Sequence, residues 1–201
     1  EISYKTAWLM AHKIRSAMAE EDEGRLLKGI VEVDESYFGG KHKPGKRGRG
    51  AAGKTQVLIA VEVDRGFPGA AKMHVLPSGT AEDLRKACGM MIVSGSSVIT
   101  DGLHAYEKAL VDYTRVKRTI IQPNTAARKL PWVHTAAGTL KKNLLGSQHG
   151  VTPKNLQRYL SEFCWRFSRR TREEDPFDLL LEACLKGSVL TWAALARGPG
   201  P

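Results

Sequence analysis

The stretch GRGAAGKTQVLIAVEVD, Gly48 to Asp64, decides between two folds. Its first half fits the phosphate-loop pattern G-x-x-x-x-G-K-[ST] at every defined position, closing on Gly53, Lys54 and Thr55. A working phosphate loop joins a strand to a helix, because the helix N-terminus and the loop amides together hold the phosphates. The second half, TQVLIAVEVD, is instead a near-continuous apolar run with β-strand composition and no helical face. The loop therefore joins strand to strand. IVEVDE, Ile30 to Glu35, imitates the magnesium-holding strand of phosphate-loop ATPases, but it precedes the glycine loop where theirs follows. A nucleotide-binding fold loses its context at both ends.

What remains of the loop is charge. Lys41, Lys43, Lys46, Arg47, Arg49 and Lys54 fall within fourteen residues that contain no acid. Glycines between them let the backbone and the cations approach phosphates closely, which points to a nucleic-acid backbone. The whole chain agrees: 31 Lys and Arg against 21 Asp and Glu leave a net charge of +10. Such a surplus suits a polyanion, because cations that neutralise phosphates release condensed counterions.

Outward from the loop, GIVEVDESYFG, Gly29 to Gly39, is rich in β-branched and aromatic residues and predicts a strand. RGFPG turns the Thr55–Asp64 strand into a third, AAKMHVLPS. A helix follows in SGTAEDLRKACGMM, with Ser78 or Thr80 as its N-cap. SSVIT, Ser96 to Thr100, is a short strand; DGLHAYEKAL is a helix and TRVKRTII a strand. VHTAAGTLKKNLL, TPKNLQRYLSEFCWRF and DPFDLLLEACL then repeat helical patterns, and ARGPGP ends as a tail. A helix at Thr6 to Ala19 precedes everything. Three leading strands joined by turns predict an antiparallel meander, and later strands reached through helices predict parallel additions. The fold class is α/β: a mixed five-stranded sheet flanked by helices.

At 201 residues the chain can bury one sizeable core. No apolar run approaches the roughly 20 residues that span a bilayer. The three cysteines, Cys88, Cys164 and Cys184, form no CxxC pair and are expected to be reduced thiols packed as small apolar side chains. EISYKTAW at the N-terminus has no signal-peptide pattern and no initiator Met.

Two aspartates sit where metal chemistry wants them. Asp34 lies inside the first strand, with Glu32 and Ile30 on its face. Asp101 ends the short apolar strand, immediately before Gly102. An ionised Asp in a buried strand is costly unless paired or bound to a metal. A salt bridge for Asp34 and a helix cap for Asp101 are the structural alternatives.

In order along the chain, VEVDESYFGG, GRGAAGKT, SSVITDGLHAY and LPWVHTAAGTLKKNLLGSQHGVTPKNLQRYLSEFCWRFSRR resemble the ISXO-type insertion-sequence transposases, a bacterial group of the DDE superfamily. The resemblance runs from SYKTAW to FSRR. It implies a ribonuclease-H-like fold and a catalytic domain that cuts and joins DNA with two divalent ions, Mg²⁺ or Mn²⁺. Carried over by position, Asp34 is the first catalytic carboxylate and metal ligand, Asp101 the second, and His134 the third; His104 and His149 are rivals for that place. Lys141, seven residues on and on the same helix face as His134, would reach DNA phosphate, with Lys142 beside it. Gly138 between them is a departure, since glycine inside a helix costs about 1 kcal/mol against alanine.

The resemblance also implies boundaries and partners. Residues 1–24 would be the last piece of an N-terminal helix-turn-helix region, 25–172 the ribonuclease-H-like catalytic domain, and 173–201 a C-terminal helix and tail. The partners would be transposon-end and target DNA and further copies of the chain in a synaptic complex, in the bacterial cytoplasm at the nucleoid. A DNA-binding remnant without catalysis is the alternative, with a phosphate-loop nucleotide-binding protein behind it.

Overall fold

The computed structural model describes residues 1–39, 54–117 and 129–197. Five strands form one sheet: β1 (Ile30–Phe38), β2 (Thr55–Asp64), β3 (Phe67–Leu76), β4 (Ser97–Thr100) and β5 (Thr114–Lys117). Their order is β3-β2-β1-β4-β5; β1, β2 and β3 run antiparallel, whereas β4 and β5 are added parallel to β1. This is the ribonuclease-H-like arrangement. The residues after the glycine loop are strand from Thr55 onward, so the phosphate-loop match ends without the helix it needs.

Helices close both faces of the sheet. α1 (Tyr4–Glu21) precedes it, α2 (Ala81–Met91) joins β3 to β4, and α3 (Ala105–Ala109) joins β4 to β5. α4 (Pro131–Gly146), α5 (Pro153–Arg169), α6 (Pro176–Lys186) and α7 (Trp192–Arg197) follow. The period-2 alternation of β1 decides what lies where. Val31 and Val33 face α2 and α3, in a core with Leu58, Leu84, Val98 and Tyr106. Phe38, on the opposite parity, joins Val57, Ile59 and Val61 against Val133 and Leu140 of α4 and Leu160 of α5.

Several boundaries differ from the sequence expectation. The β2–β3 connection is a two-residue hairpin turn, not the five residues of RGFPG. Arg65 (φ 48°) and Gly66 (φ 84°) both take positive φ, the geometry that matches the twist of the flanking strands. The α2 cap agrees with the expectation: of the two candidates, Thr80 is the one used, accepting from the Asp83 amide. α3 begins only at Ala105, and α7 lies where sequence periodicity gave no helix. Cys88 and Cys164 are buried as expected, but Cys184 is exposed on α6. The continuation of β5 into RTII lies outside the described residues, as does the end of the tail.

α1 is fastened to the body by charge as well as by apolar packing. The buried Arg169 guanidinium stacks on Trp165 and pairs with Glu21 (2.8 Å) and Asp22 (2.9 Å) at the end of α1. Arg15 pairs with Glu162 at 2.7 Å and lies over the Tyr159 ring. Breaking a buried ionic group of this kind costs several kcal/mol, because the partner is left uncompensated.

α5 also covers the outer edge of the sheet. Gln157 accepts from the Val75 amide (2.9 Å) and donates to the Met73 carbonyl (3.0 Å). Ser168 accepts from the Ala71 amide, and Arg170 donates to the Gly69 and Pro68 carbonyls. Apart from the Pro68 carbonyl these belong to the alternate β3 residues Gly69, Ala71, Met73 and Val75, so a strand that would otherwise be a template for another chain is satisfied by α5 and its C-cap residue.

Two substitutions test this account. Gly138 lies within α4 and an added Cβ meets nothing within 4 Å, so Gly138→Ala should stabilise the protein by about 1 kcal/mol, read as a higher thermal midpoint. Gln157→Leu should cost about 1–3 kcal/mol in denaturant unfolding, because two edge groups lose their partner. It should also raise the tendency to self-associate.

Candidate active site

The site is built on the even-numbered face of β1. Parallel pairing sets Glu32 opposite Ile99; two residues further, the same register brings Asp34 level with Asp101. β4 ends at Thr100, and Gly102 (φ 83°) turns the chain away directly after Asp101. Asp101 therefore lies at the C-terminal end of β4, a usual place for a site in a parallel sheet, beside Asp34 in the middle of β1. Asp101 does not cap α3. Its Oδ1 accepts from the Leu103 amide (3.0 Å) in a local turn, and α3 starts after His104 without a side-chain cap.

α4 runs along this face of β1. Glu32, buried to 4% exposure, accepts through one oxygen from the Trp132 (2.9 Å) and Val133 (3.1 Å) amides. One residue on, His134 Nε2 stands 3.8 Å from Asp34 Oδ2. Two turns on, Lys141 Nζ donates to Ser36 Oγ (2.7 Å) and lies over the Phe38 ring. Thus Glu32, Asp34, Ser36 and Phe38 meet α4 in sequence, each two residues from the last.

The electrostatics follow from this crowding. The Asp34 carboxyl is pushed up to about 7, first by burial and then by the like charges of Asp101 and Glu35; the Glu35 amide, which donates to Asp34 Oδ1 at 2.8 Å, pulls the other way. Burial lowers His134, and Lys141 lowers it further, so the imidazole is neutral at neutral pH. Lys141 is itself lowered by burial and by Lys54, with Asp34 opposing. A cation pair, Lys54 and Lys141, therefore borders a carboxylate pair.

Among the described residues no three histidine, cysteine or carboxylate side chains stand together as a ready-made metal site. The chemistry of the donors nonetheless fits a divalent cation. A buried carboxylate that resists ionisation beside a second carboxylate gains most from a cation. His134 Nε2 is buried without a hydrogen-bond partner and faces the same carboxylate. The rival histidines have other surroundings: His104 turns to Glu107 (2.9 Å), and His149 sits in the exposed turn after α4.

The structure brings Asp34, Asp101, His134, Lys141 and Lys54 into one neighbourhood, with Lys142 exposed on α4. Lys41, Lys43, Lys46, Arg47 and Arg49 lie outside the described residues. Sequence reasoning placed Glu32 on the face of Asp34 but missed its contact with α4. The signal was available in part: Pro131 marks a helix start, and Leu130 before it cannot cap that start.

Comparison with known proteins completes the picture. No curated protein matches the chain in sequence. Solved structures resemble it, among them two of one transposase. One is the pre-cleavage Mos1 transpososome (11% identity, TM-score 0.38), matched over 95% of this chain and 65% of that one. The other is the Mos1 mariner paired end complex with Mn (12% identity, TM-score 0.40), matched over 100% of this chain and 64% of that one. The chain thus spans slightly less than two thirds of the length of either. The model of the ISXO2-like transposase domain matches residues 26–168, most of the chain, and the protein belongs to that family.

Proposed function

We propose that this domain cleaves and rejoins DNA at the ends of an insertion sequence, with Asp34, Asp101 and His134 as the ligands of two divalent ions, Mg²⁺ or Mn²⁺. The observation that carries the proposal is the approach of His134 to Asp34 across β1 and α4, with Asp101 level on the neighbouring strand. Bound there, divalent cations supply Lewis acidity to the phosphodiester and an activated oxygen nucleophile. The chain's own groups do the rest. Asp34 and Asp101 provide the negative charge that draws cations, and the neutral imidazole offers a lone pair without adding charge. Lys141, held by Ser36 and Phe38 two turns along α4, positions backbone phosphate at the edge of the carboxylates. Lys54, Lys142 and the loop cations Lys41, Lys43, Lys46, Arg47 and Arg49 extend that track.

The wider reading follows the same line. The partners are transposon-end and target DNA, bound by several copies of the chain in the bacterial cytoplasm, and α1 is the last helix of an end-recognising region. A DNA-binding domain without catalysis is the second reading; it is favoured by the lack, among the described residues, of a ready-made trio of ligands.

Nicking of labelled duplex carrying the element's own ends separates the two. The wild type should nick only with Mg²⁺ or Mn²⁺, and Asp34→Ala or Asp101→Ala should each lower the rate at least about a hundredfold. Equal rates in mutants and wild type would discard the catalytic reading.

The raised Asp34 carboxyl gives a second test. Its folded value, about 7, lies above its ordinary 3.8, so across that window the folded chain holds a proton that the unfolded chain releases. Stability of the metal-free protein therefore falls as pH rises through the window. Asp34→Asn should match the wild type near the bottom of the window, become progressively more stable towards the top, and keep a constant advantage above it. Thermal unfolding in EDTA across that range reads this directly; a pH-independent difference would contradict it.

A further inference from the structure

We infer that Glu32 is a positioning residue for the site, a pin that fixes the rotation and register of α4 so that the His134 imidazole meets Asp34. The inference rests on the proposal that His134 is a metal ligand, and it goes beyond that proposal by assigning what holds the ligand in place.

The start of α4 lacks its own fastening. Leu130, at the N-cap, supplies no side-chain hydrogen bond, and Pro131 has no amide hydrogen. The first amides available are those of Trp132 and Val133, and both are taken by Glu32 Oε2 from a strand a hundred residues earlier. A carboxylate at a helix N-terminus also meets the positive end of the helix dipole, so the contact is electrostatic as well as directional. The indole Nε1 of Trp132 adds a second tether by donating to the Gly66 carbonyl (3.1 Å) in the β2–β3 turn.

The geometry closes a small circuit. Glu32 and Asp34 point to the same side of β1 and lie roughly 6.6 Å apart along it. Glu32 holds the amides of residues 132 and 133, and residue 134 is the one that faces Asp34. A slip of one residue along α4 would turn each side chain by about 100° and carry the imidazole off the carboxylate. Glu32 touches no reacting atom in this scheme; it acts only through His134.

The test uses the full chain, Zn²⁺ as a diamagnetic probe, and the ¹⁵N signal of His134 Nε2, assigned by its loss in His134→Asn. In the wild type, saturating Zn²⁺ should move that signal from its free to its metal-bound position, a shift that needs a direct bond to the ring nitrogen. Glu32→Gln keeps the shape and an acceptor oxygen but loses the charge, and should lower the metal-bound fraction of His134 about fivefold at a Zn²⁺ concentration that still saturates Asp34 and Asp101. Glu32→Ala should leave no metal-bound signal if that variant folds, as judged by circular dichroism. A metal-bound fraction in Glu32→Gln equal to the wild type, with Glu32→Ala either equal too or unfolded, would make Glu32 a purely structural residue and overturn the inference. No metal-bound signal in the wild type would overturn the ligand role of His134 itself, and the inference with it.

Discussion

A single buried carboxylate oxygen, accepting two amides from the first turn of α4, sets the relation between the sheet and the helix that faces it. β1 is the central strand, paired to β2 on one side and β4 on the other, so its side chains have a fixed place relative to every other strand. α4 has no comparable ladder. What it has is apolar packing of Val133 and Leu140 on β2 and a row of side-chain contacts with β1, from Glu32 at its start to Lys141 two turns beyond His134. Take away the first of these and the rest lose their common origin.

The same face shows what this arrangement costs. A folded core normally excludes carboxylates that lack counter-charges, yet Asp34 is largely buried with Asp101 and Glu35 nearby. The sheet tolerates this because the Glu35 amide solvates one Asp34 oxygen, the Leu103 amide solvates Asp101, and Lys141 contributes positive charge at the margin. The opposite face of the sheet carries a conventional core of Val31, Val33, Leu58, Leu84 and Val98. Both faces of the sheet thus carry an apolar core, and the unfavourable charge is confined to the α4 face, beside the core of Phe38, Val57, Ile59 and Val133.

Much of this was legible in the sequence. The run TQVLIAVEVD identified a strand after the glycine loop because its composition leaves no polar face for a helix. The meander and the two parallel additions followed from which strands are separated by turns and which by helices. Asp34 and Asp101 stood out because an acid inside or at the end of an apolar strand needs a reason. The cap by Glu32, the edge cover by Gln157 and Ser168, and the Arg169 cluster were not legible. Each joins residues some 80 to 150 positions apart, and such contacts leave no local periodicity. The two-residue turn was missed for another reason: Arg65 takes a positive φ, a conformation for which arginine gives no warning.

The hairpin turn itself has a further meaning. By its length, exposure and glycine, Arg65–Gly66 has the features of a surface site that accepts insertions at little cost. Its carbonyl at Gly66, however, receives the indole of Trp132, in the first turn of α4. The turn is therefore a bearing against which the helix rests. Lengthening it for a tag or a reporter would leave β2 and β3 paired while moving the support from under the helix, so tolerance of the sheet and tolerance of the site part company at these two residues.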